Sequence, residues 1–299
     1  MVNKVSLTAI ILTYNEEIHL QRCISSLKDI CNRIIVVDSN STDKTQSIAE
    51  MNNVCFFENE WVNHAVQFNW ALDNCNIDTD WVLRLDADEY IMPNLEKEIR
   101  NILPQILDPI NGIEICLRRV FLGKHMKYGL GQIRMMRIFR FGKARIENRW
   151  MDEHAVLLDG ASIVFDGEFS DDNLNSIGWW TTKHNGYSIR EAIELLDVEF
   201  GILPLTETGL LSEQATKKRE LKMKYIKLPL FFRCLIYFIY RYVFKFGLLD
   251  GKEGFLWHFL QGFWYRVLVD AKIFEIKKVC GNDVLKIREY VKNIYKIEL

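Results

Sequence analysis

The feature that most constrains this chain is an alternation of short apolar runs, each closed by a polar cluster, with helical stretches between them. Val5 to Leu12 is almost continuously apolar, as expected of a strand covered on both faces. Ile34 to Val37, Val54 to Phe57 and Trp81 to Leu85 repeat that texture. Between them, Glu17 to Ile30, Thr45 to Met51 and Ala65 to Leu72 read as helices, the first with Ile18, Cys23, Ile24 and Leu27 on its apolar face. Strands alternating with helices in this way predict an α/β chain built on a doubly wound, mostly parallel sheet. From Ile113 to Val164 glycines punctuate short alternating runs, which predicts strands and loops. Beyond Asn175 the spacing is helical, with Ile189, Ala192, Ile193 and Leu196 on one face.

Composition excludes several classes. Of 299 residues 49% are apolar and 26% charged, so the chain can bury a sizeable core and is neither disordered nor collagen-like. Seven scattered cysteines without a CxxC pair read as reduced thiols in a cytosolic setting, not as a zinc site or disulfide framework. The opening Met1-Val2-Asn3-Lys4 runs straight into the first strand, so no signal peptide is expected. The net charge of −2 conceals an asymmetry: Met1 to Gln214 holds 20 Lys and Arg against 32 Asp and Glu, and Ala215 to Leu299 holds 18 against 8. An acidic body with a basic, aromatic tail predicts that the tail meets an anionic surface.

Leu228 to Leu249 is hydrophobic, but Arg233, Arg241 and Lys245 interrupt it, and the chain offers no uncharged window of about 18 residues. As one helix it would set Lys227, Arg233, Arg241 and Lys245 on a narrow basic face opposite a broad apolar one. Such an amphipathic helix is expected to lie in a headgroup interface. A helix buried in the protein with snorkelling basic ends is the competing expectation. Gly254 to Phe274 repeats the aromatic richness.

Three polar clusters carry the chemistry: Thr13-Tyr14-Asn15-Glu16 after the first strand, Asp38-Ser39-Asn40-Ser41 after the second, and Asp86-Ala87-Asp88-Glu89 after the fourth. In an open parallel sheet ligands bind beyond the carboxyl ends of the strands, so all three converge on one cleft. No GxxxxGK[ST] loop is present and Gly129-Leu130-Gly131 does not open a helix, which argues against a P-loop or dinucleotide site. Carboxylates repel a diphosphate unless a divalent cation bridges them, so the cleft implies Mn²⁺ or Mg²⁺. A second DxD, Asp78-Thr79-Asp80, follows no strand and carries no such weight.

In this order and spacing ILTYNEE, VVDSNSTDKT and LRLDADE resemble the family-2 inverting glycosyltransferases of GT-A fold. WMDEHAVLLDG and WWTTKHNGYSIREA resemble bacterial members that build lipopolysaccharide core or O-antigen, and the likeness runs from about Val5 to Leu196. It implies a GT-A domain over residues 1–205, with a nucleotide half to about 100 and an acceptor half after it, then a helical, membrane-associating tail over 206–299. It implies that Thr13, Tyr14 and Glu16 line the nucleotide pocket, that Asp38 accepts from the base, and that Asn69 lies near the ribose and diphosphate. Asp86 would touch ribose or metal, Asp88 would ligate the metal, and His154 would orient the base or join the metal. The catalytic base would be Asp152 or Glu153, with Glu153 preferred. His184 and Lys183 would approach the diphosphate or acceptor, or cap a helix, and Trp179 and Trp180 would stack on a sugar or fill the core. The basic run from Arg118 to Arg149 would attract a lipid-linked diphosphate or face solvent.

The expected function is therefore metal-dependent transfer of a hexose, UDP-glucose favoured, to a polyprenyl-diphosphate-linked saccharide or a lipid A-core acceptor. The enzyme would be cytoplasmic, peripheral on the inner-membrane surface, with no nucleic-acid partner. A nucleotidyltransferase would bring a basic, glycine-rich first loop, whereas Thr13 to Glu17 is acidic. A non-catalytic sugar-nucleotide-binding module would lack the base.

Overall fold

The computed structural model describes residues 5–148, 153–203 and 213–298. Strands β1 (Val5–Thr13), β2 (Cys31–Asp38), β3 (Cys55–Glu58) and β4 (Trp81–Asp86) run parallel in the order β3-β2-β1-β4. Helices α1 (Leu20–Leu27), α2 (Thr45–Met51) and α3 (His64–Asn74) connect them. Side chains alternate across a strand, and both faces of β1 are buried. Leu7, Ala9 and Ile11 join Val36, Leu83 and Leu85 beneath Leu20, Cys23, Ile24 and Leu27 of α1. Ile10 and Leu12 join Ile35, Val37 and Val82 beneath Ala65, Phe68, Ala71 and Leu72 of α3. Truncating the fully buried Phe68 to alanine would cost about 3–5 kcal/mol. Register sets Thr13 beside Asp38 and Leu12 beside Asp86, so the three polar clusters emerge at one level of the sheet.

Helix α1 begins at Leu20 instead of Glu17, and Ile18 is exposed. The amides of Glu16 and Glu17 donate instead to Thr45 and Asp43 of the neighbouring loop, which holds this stretch out of the helix.

The second half extends the sheet with β5 (Glu89–Ile91), helix α4 (Pro93–Ile102), β6 (Ile110–Phe121), β7 (Lys124–His125) and β8 (Ile133–Arg140). Two short strands, β9 (Ala144–Ile146) and β10 (Ala155–Leu157), form a separate ribbon, and β11 (Ala161–Asp172) returns to the main sheet. Beyond β4 the order is β8-β6-β11-β5, with β8 and β5 antiparallel to their neighbours and β7 hairpinned to β6. The turn after Asp86 carries the chain to β11, where Glu89 pairs with Asp171. Thus β11 adds its own carboxylates to the cleft.

Helices follow: α5 (Ile177–Phe200), α6 (Glu213–Ile226), α7 (Phe232–Ile239), α8 (Gly251–Phe259), α9 (Tyr265–Cys280) and α10 (Val284–Tyr290). Ser176 caps α5 by accepting from the Trp179 amide, and Gly201 ends it in the left-handed region at φ 62°. Ile189, Ala192, Ile193 and Leu196 of α5 pack on Val269, Ile273 and Ile276 of α9.

The expectation of one amphipathic helix from Leu228 to Leu249 is corrected. Helix α7 passes into a π-helical turn over Tyr240–Phe244, and the chain breaks at Phe246, with φ 59°. Two of the four residues of the expected basic face turn inward, Arg233 and Arg241 at 2% and 4% exposed, whereas Lys227 and Lys245 are exposed. Phe232, Leu235, Ile236, Ile239, Val243 and Phe244 face outward. The cause lies on α9, where the buried Asp270 accepts from Arg233 Nε at 3.0 Å and Nη2 at 2.5 Å. A buried charge is tolerated when it is paired and hydrogen-bonded. No described helix is long and apolar enough to cross a membrane.

Candidate active site

The loops after β1 and β2 are knitted together. Asp38 is buried, and its Oδ1 accepts from Thr13 Oγ1 at 2.7 Å and from Ser41 Oγ at 2.6 Å, its Oδ2 from the Ser41 amide at 2.6 Å. Asn15 and Asn40 take the left-handed conformation at φ 55° and 61°, which asparagine tolerates. Asn15 Oδ1 accepts from the Thr42 amide at 2.9 Å, locking one loop to the other. Buried His19 holds Glu16 through Nδ1 at 2.5 Å. Its Nε2 accepts from the Leu174 amide at 2.9 Å, so Nδ1 carries the hydrogen. Tyr14 is exposed beside this frame, free to lie against a planar ligand.

The third cluster is crowded with carboxylates. Asp88 Oδ2 accepts from Asn173 Nδ2 at 2.8 Å, and Arg22 fixes the turn by donating to the Asp88 carbonyl at 3.3 Å and to Asp172 Oδ2 at 2.6 Å. Glu89 is buried beneath it, accepting from Arg137 Nη2 at 2.5 Å and from the Asp86 amide at 2.9 Å. Burial pushes the Glu89 carboxyl well up, the charges of Asp86, Asp171 and Asp88 adding to this against Arg137. Burial likewise pushes Asp171 up to about 6, with Asp88 and Asp86 adding and its ion partner Arg119 opposing. This concentration of negative charge favours a cation.

Asp86 behaves differently. Burial works against its charge, but a hydrogen bond from His64 and the guanidiniums of Arg137 and Arg84 hold it well below the ordinary carboxylate range. His64 opens α3 and meets Asp86 Oδ1 through Nε2 at 3.1 Å, while Arg84 Nη2 lies 3.2 Å from Nδ1. Only an unprotonated Nδ1 accepts from a guanidinium, so Nε2 donates to Asp86. Glu153 Oε1 stands 3.7 Å from His64 Nδ1 and 3.8 Å from Arg84 Nη2. The preferred base is thereby brought to the same histidine as Asp86. Asp152 lies outside the described residues.

Two further expected residues can be placed. Both ends of the Asn69 amide pair with the backbone of Ile146, at 2.8 and 3.0 Å, so this residue clamps β9 to α3. His154 lines a small cavity with Glu153, Arg84, Arg134 and Arg137, and its backbone pairs with Glu147. Three guanidiniums therefore line that cavity beside the base.

Helix α5 contributes a cation. Burial opposes the charge of Lys183, but Tyr187, Asp88 and Glu16 outweigh it and hold its proton above the ordinary range. Trp179 and Tyr187 flank it, ring centroids 4.6 and 5.7 Å away. His184 turns away: its ring stacks on Trp180 at 3.4 Å and its Nδ1 pairs with the Trp180 carbonyl at 2.9 Å. It sits inside α5, so it does not cap that helix. Trp180 belongs to a core cluster with Phe121, Met126 and Trp257.

Among the described residues no group of three or more His, Cys, Asp or Glu side chains is placed to hold a metal ion alone. A hard cation that travels with phosphate needs only one or two protein carboxylates. Asp88, beside the buried Glu89 and Asp171, meets that demand, with Asp86, which His64, Arg137 and Arg84 already hold, as the second carboxylate. Sequence reading passed over His64, Arg84 and Arg137. Arg84 had a signal, a charge inside the otherwise apolar WVLRL, whereas His64 had none before α3 was placed against β4.

A model of glycosyl transferase family 2 matches residues 8–165. The lipopolysaccharide core biosynthesis glycosyltransferase LpsC of Rhizobium meliloti is 33% identical over 156 residues, 49% of this chain and 55% of its own length. An uncharacterized glycosyltransferase of Rickettsia bellii is 40% identical over 96 residues, 32% of either chain. The match thus spans about half of the first relative and a third of the second. Among solved structures, S. aureus TarS in complex with UDP-GlcNAc aligns over 96% of this chain and 91% of its own, with 15% identity and TM-score 0.45. Glucosyl-3-phosphoglycerate synthase of Mycobacterium tuberculosis, in complex with Mn²⁺ and UDP, aligns over 39% and 45%, with 17% identity and TM-score 0.31.

Proposed function

The chain belongs to glycosyl transferase family 2, and on that premise we propose that it moves a hexose from a UDP-sugar, UDP-glucose favoured, with inversion, to a lipid-linked saccharide. The observation that carries this reading is the meeting of Asp86, His64, Arg84 and Glu153 at the carboxyl edge of the parallel strands. Thr13, Tyr14, Glu16 and Asp38 form the nucleotide pocket, and Asp86 meets the ribose side of the donor. Glu153 takes the proton from the acceptor hydroxyl as its oxygen attacks the anomeric carbon. The bond from that carbon to the diphosphate oxygen breaks on the opposite face, and the electron pair leaves with UDP. Lys183 stabilises the negative charge that collects there. Asp88 and Asp86 would hold Mn²⁺ or Mg²⁺, which supplies Lewis-acid neutralisation of the diphosphate. Arg84 and His64 orient the base and the donor carboxylate relative to one another.

The acceptor is read as a polyprenyl-diphosphate-linked or lipid A-core saccharide of bacterial surface polysaccharide, O-antigen included. The name of the Rhizobium relative and the outward apolar face of the tail support this. Residues 206–299 then serve as a membrane-associating region beside the domain of 1–205, seating the enzyme on the inner face of the cytoplasmic membrane. The test is turnover of UDP-, GDP- and CMP-sugars by purified protein, with Mn²⁺ and with EDTA, in the presence of a polyprenyl-type acceptor. Metal-dependent turnover of one UDP-sugar is expected. Absence of both turnover and UDP binding would overturn the reading.

A further inference from the structure

Among the described residues four arginines are buried almost completely: Arg84, Arg137, Arg233 and Arg241. Three have a carboxylate: Glu153 at 3.8 Å from Arg84, Glu89 at 2.5 Å from Arg137, and Asp270 at 2.5 Å from Arg233. Arg241 has none among the described residues. Its guanidinium lies 5.2 Å from the Tyr237 ring centroid, and its Nε and Nη2 have no hydrogen-bond partner. A buried charge left uncompensated is strongly unfavourable, so a group of this kind calls for an anion.

Further donors lie close by, together with the Tyr237 hydroxyl, which hydrogen-bonds Arg241, and the buried, unpartnered Gln261 Oε1. Arg119 lies with its guanidinium carbon 5.5 Å from the Trp257 ring centroid, and Arg266 shares the Tyr237 ring with Arg241. Arg119 Nε, Arg266 Nε and Trp257 Nε1 are buried without partners, as are Nε and Nη2 of Arg241. Arg119 and Arg266 each hold one carboxylate, Asp171 and Glu191, whereas Arg241 holds none among the described residues. Burial lowers the proton affinity of Arg241 and the charges of Arg266 and Arg119 press it in the same direction, with Tyr237 opposing them. The backbone makes room for the guanidinium: a Cβ on Gly262 would stand 3.3 Å from Arg241 Nη1. Gly262 lies in a second π-helical turn, Leu260–Trp264, across from the turn that carries Arg241. Such turns often mark functional positions.

Position indicates what kind of anion. On one side Arg119 is tied to Asp171, which pairs along the sheet with Glu89 of the carboxylate cluster, so the donors adjoin the catalytic cleft. On the other side the turn bearing Arg241 presents Tyr240, Val243 and Phe244 outward, followed by the exposed Leu248 and Leu249. We propose that Arg241, Arg119, Arg266 and Trp257 form a binding site for the phosphate or diphosphate of a lipid, whose hydrocarbon lies against the outward apolar face. In the enzyme this site would hold the lipid end of the acceptor and aim its saccharide at Glu153, an extension that rests on the proposed function above.

The test is flotation of the full chain with three kinds of vesicle: phosphatidylcholine alone, with phosphatidylglycerol, and with undecaprenyl diphosphate. Wild-type protein is expected to float with phosphatidylcholine through its apolar face and to gain tenfold or more in partitioning when a phosphate-bearing site ligand is added. Arg241→Gln keeps the first and loses the gain. A gain from undecaprenyl diphosphate alone assigns the site to the acceptor carrier, and an equal gain from phosphatidylglycerol assigns it to bilayer headgroups. Should Arg241→Gln fail to fold, Trp257→Phe retains the aromatic packing, removes one donor and lowers the gain about fivefold. A wild-type protein without any gain, or a folded Arg241→Gln with the full gain, overturns the proposal. UDP-sugar turnover on the same preparations reports separately on the catalytic reading: its loss alongside an intact lipid gain would sink that reading and leave this site standing.

Discussion

Replacing Asp270 with asparagine tests the inside-out packing of the tail at its root. The carboxylate is 1% exposed and gathers four donor groups: the Phe231 amide at 2.7 Å, Arg233 Nε and Nη2, and Cys234 Sγ at 3.2 Å. Asparagine keeps the shape but removes the charge and turns an amine toward those donors. Arg233 then remains buried without a counter-ion, a change that typically costs about 3–5 kcal/mol. The double variant Arg233→Met/Asp270→Leu removes both charges together and should be near neutral or more stable by about 1–4 kcal/mol. Urea unfolding followed by the fluorescence of Trp257 and Trp264, which lie in this region, measures both changes. Vesicle flotation supplies a second readout, because a freed Arg233 would turn outward and disturb the exposed apolar face. A loss below about 1 kcal/mol in Asp270→Asn, or a double variant as unstable as the single one, would refute the claim that this pair sets the orientation of α7.

Glu153→Gln should retain UDP binding and lose turnover by about 10²–10⁴-fold, with Asp152→Asn the milder change; the opposite ranking in single-turnover assays moves the base to Asp152. Asp88→Ala should abolish stimulation by Mn²⁺, and a metal titration indistinguishable from wild type would remove Asp88 from the metal site. Burial, with Arg241 adding, lowers His258 to about 4, below its ordinary 6.5. The unfolded chain therefore binds the extra proton first as pH falls, so this residue's stabilisation is complete above pH 6.5 and is lost by pH 4, a change of about 3 kcal/mol. Urea unfolding at pH 7 and pH 4 should show a shallower pH dependence for His258→Gln than for wild type, and parallel curves would contradict this account.

The amino-acid sequence by itself determined the α/β architecture and the line of the cleft. A strand buried on both faces must be apolar throughout, so β1, β2 and β4 announce themselves, and the polar residues that end them can only gather where parallel strands finish. Asp38, Asp86 and Asp88 were legible for that reason, and Glu153 through the resemblance of its motif. The roles of His64 and Arg84 required α3 to be laid against β4, because their meeting depends on contacts 20 residues or more apart. The resemblance implies Asn69 near the ribose and diphosphate, and the pairing of its amide with the β9 backbone is something no local pattern reveals. The tail shows the division most plainly. A helical wheel groups Arg233 and Arg241 but cannot say which way they point, since periodicity is the same for a helix with its charges in water and one with its charges inside. Only the tertiary structure decided that, by placing one buried carboxylate, Asp270, where Arg233 could reach it and turning the apolar side chains outward.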